Sequence, residues 1–373
     1  LVQTATRDGE ATQIESHAHR HKPRLFYLDW VRAISVLLVI VAHFNVPALL
    51  THPIFANYPF HIFLGDLGVS QFLIISGAAL MYTYGDEEHL DLKTFYWKRF
   101  KSIFPMFWLA FLFANTFIYI KNGGEPTVNA PLWTIVLSFF GIDSYAAAAG
   151  FLTFATTGEW FIGFIVIFYV LFPLLRYGVN KHPVLTAAIV IALYVATIAL
   201  KPSFHTLPLE LMPTSRLPEL LFGMYFIKYI SKSNLLMAIG SVIFLILQQI
   251  FGFIPDTLLT ISLVGIAFFL VLARLANIVE FQPIKVVIGT ISKYSYAIFL
   301  THHVVIEQIF TVIKTSKYAQ YAAGAYVLFA ADCVVIFVLS LLLYEADGKM
   351  KQYVEKMFVK PEIALAKSGT KQN

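Results

Sequence analysis

From Phe26 onward the chain is a succession of apolar stretches, each about the length that crosses a bilayer. A helix rises about 1.5 Å per residue, so roughly 20 apolar residues span the hydrocarbon core. Such stretches lie at about 26–45, 66–84, 102–120, 132–150, 159–176, 184–200, 216–231, 234–252, 258–278, 291–312 and 320–344. Of the 373 residues 58% are hydrophobic and 13% charged, against about 25% charged in a soluble domain. A water-soluble core could not hide that much apolar surface, so lipid has to cover it. The expected fold is an all-α, polytopic transmembrane helix bundle. A polar N-terminal tail (1–24) precedes a membrane domain (25–346), and a basic C-terminal tail (347–373) follows it. No repeat and no intervening soluble domain is visible, nor is a cleavable signal peptide, since no short apolar stretch precedes the first span.

Cations in the loops set the expected orientation. Arg20, Lys22 and Arg24 put the N-terminus in the cytoplasm, and two crossings later Lys93, Lys98, Arg99 and Lys101 fall there too. If 132–150 crosses, Arg176, Lys181, Lys228, Lys232 and the Lys-rich C-terminus all land outside. If it does not cross, they return inside, with Lys314 and Lys317 as exceptions. Ten spans with both termini cytoplasmic therefore fit best, with 132–150 re-entrant or lying on the surface. Gly141, Asp143 and the Ala-rich end suit that role. The net charge of +5 marks sides of a membrane here and implies no nucleic acid. The one cysteine, Cys333, can form neither an internal disulfide nor a structural zinc site by itself.

An ionisable residue deep in a span costs roughly 2.5–3.5 kcal/mol on insertion scales, so it usually faces a cavity or a partner. Arg32 and His43 share the first span. Eleven positions apart, they are separated by about 16 Å and about three turns, nearly on one face. Asp29 can pair with Arg32 at i, i+3. Two readings fit: a working site, or a snorkelling interfacial pair with an interfacial histidine. Glu159 opens a span, either as a site residue or as a carboxylate favoured by the helix dipole. His302 and His303 lie mid-span, where a histidine needs a partner or water; packing against a neighbouring helix would also serve. Ser76-Gly77 either lets two helices approach closely or breaks one beside a cavity. The run Lys98-Arg99-Phe100-Lys101 suits phosphate groups, or simply anchors the chain inside. His17, His19 and His21 alternate in a polar tail, and a solvated tail is expected there rather than a metal site. Asp86-Glu87-Glu88-His89 reads as a loop.

Taken in order, these motifs resemble membrane acyltransferase family 3. Leu28-Asp29-Trp30-Val31-Arg32-Ala33-Ile34 followed by His43 is similar to its first-helix Arg-x10-His signature. Gly68-Val69 through Phe72 to Ser76-Gly77 resembles its second-span motif, and Lys98-Arg99 through Ile103-Phe104-Pro105 its basic cytoplasmic motif. Glu159-Trp160-Phe161 with Phe168-Tyr169 and Phe172-Pro173 resembles its middle segment. Ser295-Tyr296-Ala297-Ile298-Phe299-Leu300-Thr301-His302 resembles its late motif. Trp30 and Ala33 stand where members often have Gly, and Ser102 where a further Arg is common. Lys101 can supply that charge but lacks the bidentate fork of Arg.

The resemblance implies a bacterial plasma-membrane enzyme that moves an acyl group, usually acetyl, from cytoplasmic acyl-coenzyme A to a hydroxyl of an extracytoplasmic glycan or lipid-linked saccharide. The donor is a substrate; no cofactor and no metal is expected. The chain would act alone or with separate glycan-assembly proteins. On that reading His43 is the catalytic base or a transient acyl carrier. Glu159 orients its imidazole, and Arg32 binds donor or offsets charge on the carbonyl oxygen. Lys98, Arg99 and Lys101 hold the donor phosphates; Ser76, Tyr296 and His302 line the path. The alternatives are a transporter or exporter of a polysaccharide or small polar solute, in which His, Glu and Arg form a relay, and a scaffold for a glycan assembly machine.

Overall fold

The computed structural model describes residues 22–45, 53–126, 128–154, 157, 159–200, 209–255, 257–313 and 321–369. Among them stand twelve α-helices: α1 (Phe26–Asn45), α2 (Leu64–Tyr84), α3 (Leu92–Lys121), α4 (Ile135–Phe139), α5 (Asp143–Ala148), α6 (Glu159–Lys181), α7 (Pro183–Ala199), α8 (Pro213–Tyr225), α9 (Leu235–Phe251), α10 (Thr257–Val279), α11 (Gln282–Ile313) and α12 (Ala322–Gly369). The all-α expectation holds. Six helices are long and apolar enough to cross a membrane: α1, α2, α3, α6 from Trp160, α10, and α12 as far as Tyr353. Two more, α7 and α9, are apolar but shorter. The 32-residue α11 is not among the six. It carries Lys285, Lys293, His302, His303 and Glu307, and that polar content is what sets it apart.

Burial is arranged for lipid. Val184 on α7 is 82% exposed and Leu236 on α9 is 80% exposed. In water such faces would invite association; in a bilayer they are ordinary. Inside, by contrast, Ser70, Gln71, Arg216 and Glu219 are essentially inaccessible.

The stretch 132–150 does not form a spanning helix. It breaks into a 3₁₀ turn at Leu132–Thr134 and the two short helices α4 and α5. Gly141, at φ +68°, divides α4 from α5. Phe139 stacks on Trp108 of α3 at 4.1 Å between ring centroids, and its carbonyl accepts the indole N–H.

The basic run, read as loop ahead of the stretch 102–120, lies within a helix. Asp91 caps α3 by accepting the Lys93 N–H at 3.1 Å and the Thr94 hydroxyl, a strong helix start. Helix α3 therefore begins ten residues before its apolar stretch, and Lys98, Arg99 and Lys101 lie on its early turns. At the other end of the chain, the residues read as a basic tail continue α12 to Gly369.

Helices α2 and α8 meet more closely than ordinary side chains allow. A Cβ on Gly77 would stand 2.0 Å from the Leu220 carbonyl oxygen, and one on Gly223 would stand 1.9 Å from that of Ile74. The close-approach reading of Gly77 is the one the fold adopts. Beside this contact lies a buried polar cluster. The Ser70 hydroxyl donates to Glu219 Oε1 at 2.5 Å, Arg216 Nε stands 3.3 Å from Glu219 Oε2, and Gln71 donates to the Gly265 carbonyl at 2.9 Å.

Candidate active site

Helix α1 carries two polar regions, one at each end. At its N-terminal end a cavity of about 650 Å³ is lined by Lys22, Arg24, Asp29 and Arg32, by Tyr82 to Tyr84 at the end of α2, by Asp86 and Glu87 just beyond it, and by Lys98 of α3. The expected Asp29–Arg32 pair does not form. Asp29 instead takes Arg24 in a two-pronged pair, Nε to Oδ2 at 2.5 Å and Nη2 to Oδ1 at 2.9 Å, and accepts the Ser292 hydroxyl of α11 at 2.7 Å. The arginine fork matches a carboxylate better than a side-by-side contact along one helix does. Arg32 is left half-buried on the cavity wall, with no hydrogen bond or ion pair among the described residues. An unpaired guanidinium facing a cavity is equipped to take an anion.

The three cations of α3 divide. Lys98 lines the cavity. Arg99 turns its guanidinium among Tyr84, Phe95 and Tyr169, 5.8–6.0 Å from their ring centroids, with its buried Nε unpartnered. Lys101 is exposed and lies 5.6 Å from the Trp97 ring centroid, away from the cavity. Outside the membrane segments, Asp86 joins Lys22 at 3.0 Å and Lys228 at 3.6 Å. The Lys22 hydrogen bond, ahead of the other effects, holds the Asp86 carboxyl below its ordinary range.

At the C-terminal end of α1, His43 meets two histidines of α11. Its ring centroid lies 4.9 Å from that of His302 and 5.1 Å from that of His303, both edge to face. His302 is 2% exposed. Its Nδ1 lies 2.6 Å from the Phe299 carbonyl, which can only accept, so Nδ1 carries the proton. Its Nε2 and the Nδ1 of His303 are buried without a partner among the described residues. Among the described residues no three His, Cys, Asp or Glu side chains are arranged to hold a metal ion. Phe44, fully buried, packs on Phe310 and Phe329 at 5.2 Å each and fixes this end of α1 against α11 and α12.

Aromatic rings fill the space beside the histidines: Phe72 on Phe161, Phe161 on Phe299, and Phe299 on His302 at 5.7 Å. Phe161 brings the start of α6 against α2 and α11. The Glu159 side chain lies outside the described residues. Ser76 donates its hydroxyl to the Phe72 carbonyl at 2.7 Å and is not on the cavity wall. Tyr296 donates to the Ile103 carbonyl at 3.0 Å, tying α11 to α3. His17, His19 and His21 lie outside the described residues.

Sequence reasoning missed the Arg216–Glu219 pair, although two ionisable residues at i, i+3 inside the apolar stretch 216–231 were a signal. It noticed His303 without giving it a place beside His43.

Residues 25–345 match the family described as an acyltransferase domain, acyltransferase family 3. The chain belongs to that family. It is also similar to a protein named Acyltransferase MdmB from Streptomyces mycarofaciens, at 29% identity over 123 residues, 32% of this chain and 31% of that one. The match thus spans about a third of that relative's length. No solved structure matches the chain.

Proposed function

We propose that the chain is an O-acyltransferase of the bacterial plasma membrane, moving an acyl group, acetyl in the simplest case, from cytoplasmic acyl-coenzyme A to a hydroxyl of an extracytoplasmic glycan or lipid-linked saccharide. Family membership supports the reaction class. The observation that carries the site is the arrangement along α1: Arg32 and Lys98 line one cavity, and His43 sits in a histidine cluster about 16 Å further along the same helix. In this reading the membrane is crossed ten times, by α1–α3 and α6–α12, with both termini cytoplasmic. The cavity then opens inside and the histidines lie toward the outside.

Arg32 and Lys98 bind the donor's anionic groups at the cavity, with Arg99 behind them. The acyl arm reaches along α1 toward His43, past Ser76 and Tyr296. His43 removes the proton of the acceptor hydroxyl, a role that typically contributes about 10²–10⁴-fold, and Glu159 stabilises the imidazolium. The test is transfer of label from radiolabelled acetyl-coenzyme A to surface glycan in membranes carrying the chain. His43→Ala abolishes transfer with the protein still inserted; wild-type-like transfer by that variant overturns the assignment.

A further inference from the structure

We infer that His302 is the positioning residue for His43: its Nε2 accepts the N–H of the His43 ring and so fixes which His43 nitrogen offers a lone pair to the acceptor hydroxyl. The inference rests on the acyl-transfer reading and adds to it the group that sets the base's tautomer.

Three observations on α11 carry it. The Phe299 carbonyl, 2.6 Å from His302 Nδ1, requires a proton there. The ring is buried, with no carboxylate partner among the described residues. A charge left unpaired there would be costly, so the ring is neutral and Nε2 bears the lone pair. That atom is buried and unpartnered among the described residues, which in a native interior calls for an explanation. Of the rings packed on His302, that of His43 is nearer than Phe299 or His303, 4.9 Å away between centroids and edge to face, so a modest reorientation of the two rings brings their nitrogens to hydrogen-bond distance. Catalytic hydrogen bonds are often long in the unliganded state and tighten around substrate.

The result is an ordered chain: the Phe299 carbonyl orients His302, His302 orients His43, and His43 meets the hydroxyl. When the acceptor oxygen bonds to the acyl carbon and the carbon–sulfur bond breaks, the hydroxyl proton moves to His43. The thiolate leaves with the electron pair and takes up the proton that His43 then gives back, so the imidazole returns to neutral and the balance closes without a further reactant. His303 also contacts His43, but no hydrogen bond among the described residues fixes its tautomer.

Two substitutions separate this role from packing. In His302→Asn the side-chain amide keeps a donor for the Phe299 carbonyl but is too short to place an acceptor at the Nε2 position. His302→Gln places an amide oxygen near the Nε2 position. The expected result, read with radiolabelled acetyl-coenzyme A and membranes bearing the host's own glycan, is a kcat reduced about 10²-fold or more in the Asn variant with donor KM unchanged, and partial recovery in the Gln variant. An Asn variant within a few-fold of wild type, or a Gln variant no better than Asn, overturns the inference. Independently of turnover, and of whether the Asn variant folds, isotope-labelled imidazole nitrogens of the wild-type protein report tautomers by nuclear magnetic resonance. His302 must be protonated at Nδ1 alone and His43 must hold one tautomer; a mixed His43 population overturns the inference. If wild-type membranes transfer no label while those tautomers are found, the acyl-transfer reading falls and the histidine pairing stands.

Discussion

Gly77 and Leu220 touch backbone to backbone, so closely that a Cβ on Gly77 would stand 2.0 Å from the Leu220 carbonyl oxygen. In an isolated helix, replacing Gly by Ala gains about 1 kcal/mol in propensity. Here the clash is with a main-chain atom, which cannot rotate away, and overpacking costs of about 1–3 kcal/mol or more prevail. Gly77→Ala is expected to lower the thermal midpoint in detergent and to reduce the amount of folded protein. A midpoint at or above the wild-type value would show that α2 and α8 separate freely.

Arg32 stands unpaired among the described residues at the cavity wall, because Asp29 is committed to Arg24 and Ser292. Arg32→Gln should raise donor KM about tenfold or more, the scale of one charge-assisted contact at about 1.5–3 kcal/mol. Lys98→Gln should act in the same direction. Lys101→Gln should stay within about twofold of wild type, because that ammonium lies over Trp97 and its contact is of the surface kind. Steady-state kinetics over donor concentration decide the matter, and equal effects at Lys98 and Lys101 would contradict the division.

Asp332 on α12 is fully buried, and both of its carboxylate oxygens lack a partner among the described residues. An unsatisfied buried polar group costs about 1–3 kcal/mol. Asp332→Leu should therefore stabilise the protein, as a rise in thermal midpoint. A fall would mean that the carboxyl has a use, and activity of the same variant would show which.

Asp86, held between Lys22 and Lys228, has its carboxyl depressed chiefly by the Lys22 hydrogen bond. A depressed folded-state pKa adds stability that is present above the unfolded value, near pH 3.9, and lost as pH falls through the folded one. The bridge should persist at neutral pH and open only in acid below that value. Its contribution is small, since it is exposed. Proteolytic nicking near 85–90 followed over pH tests this, and Asp86→Asn should remove the pH dependence.

Much of this was legible in the sequence, for unequal physical reasons. Lipid demands long apolar runs, so the helices could be located from composition. Their ends could not, because caps such as Asp91 and polar turns such as those opening α11 lie outside the apolar signal. Mid-span histidines are costly enough to stand out, and His43 and His302 do meet. The Asp29 partnership was hidden because Ser292 comes from α11, 263 residues away, and Arg24 precedes the helix. The pairing expected from helical periodicity alone lost to a better-shaped partner. Ser76-Gly77 left two readings open, and only the neighbouring helix could choose between them.

The rise of α1 between Arg32 and His43 acts as a ruler. Helical geometry fixes it at about 16 Å, and no hinge or proline interrupts it. A donor must therefore keep its reactive carbonyl that far from its anionic anchor. Compact acyl phosphates, whose carbonyl adjoins the charge, should fail as donors however reactive they are. Inserting a single residue after Ser35 would swing His43 about 100° around the helix and uncouple anchor from chemistry without removing either residue.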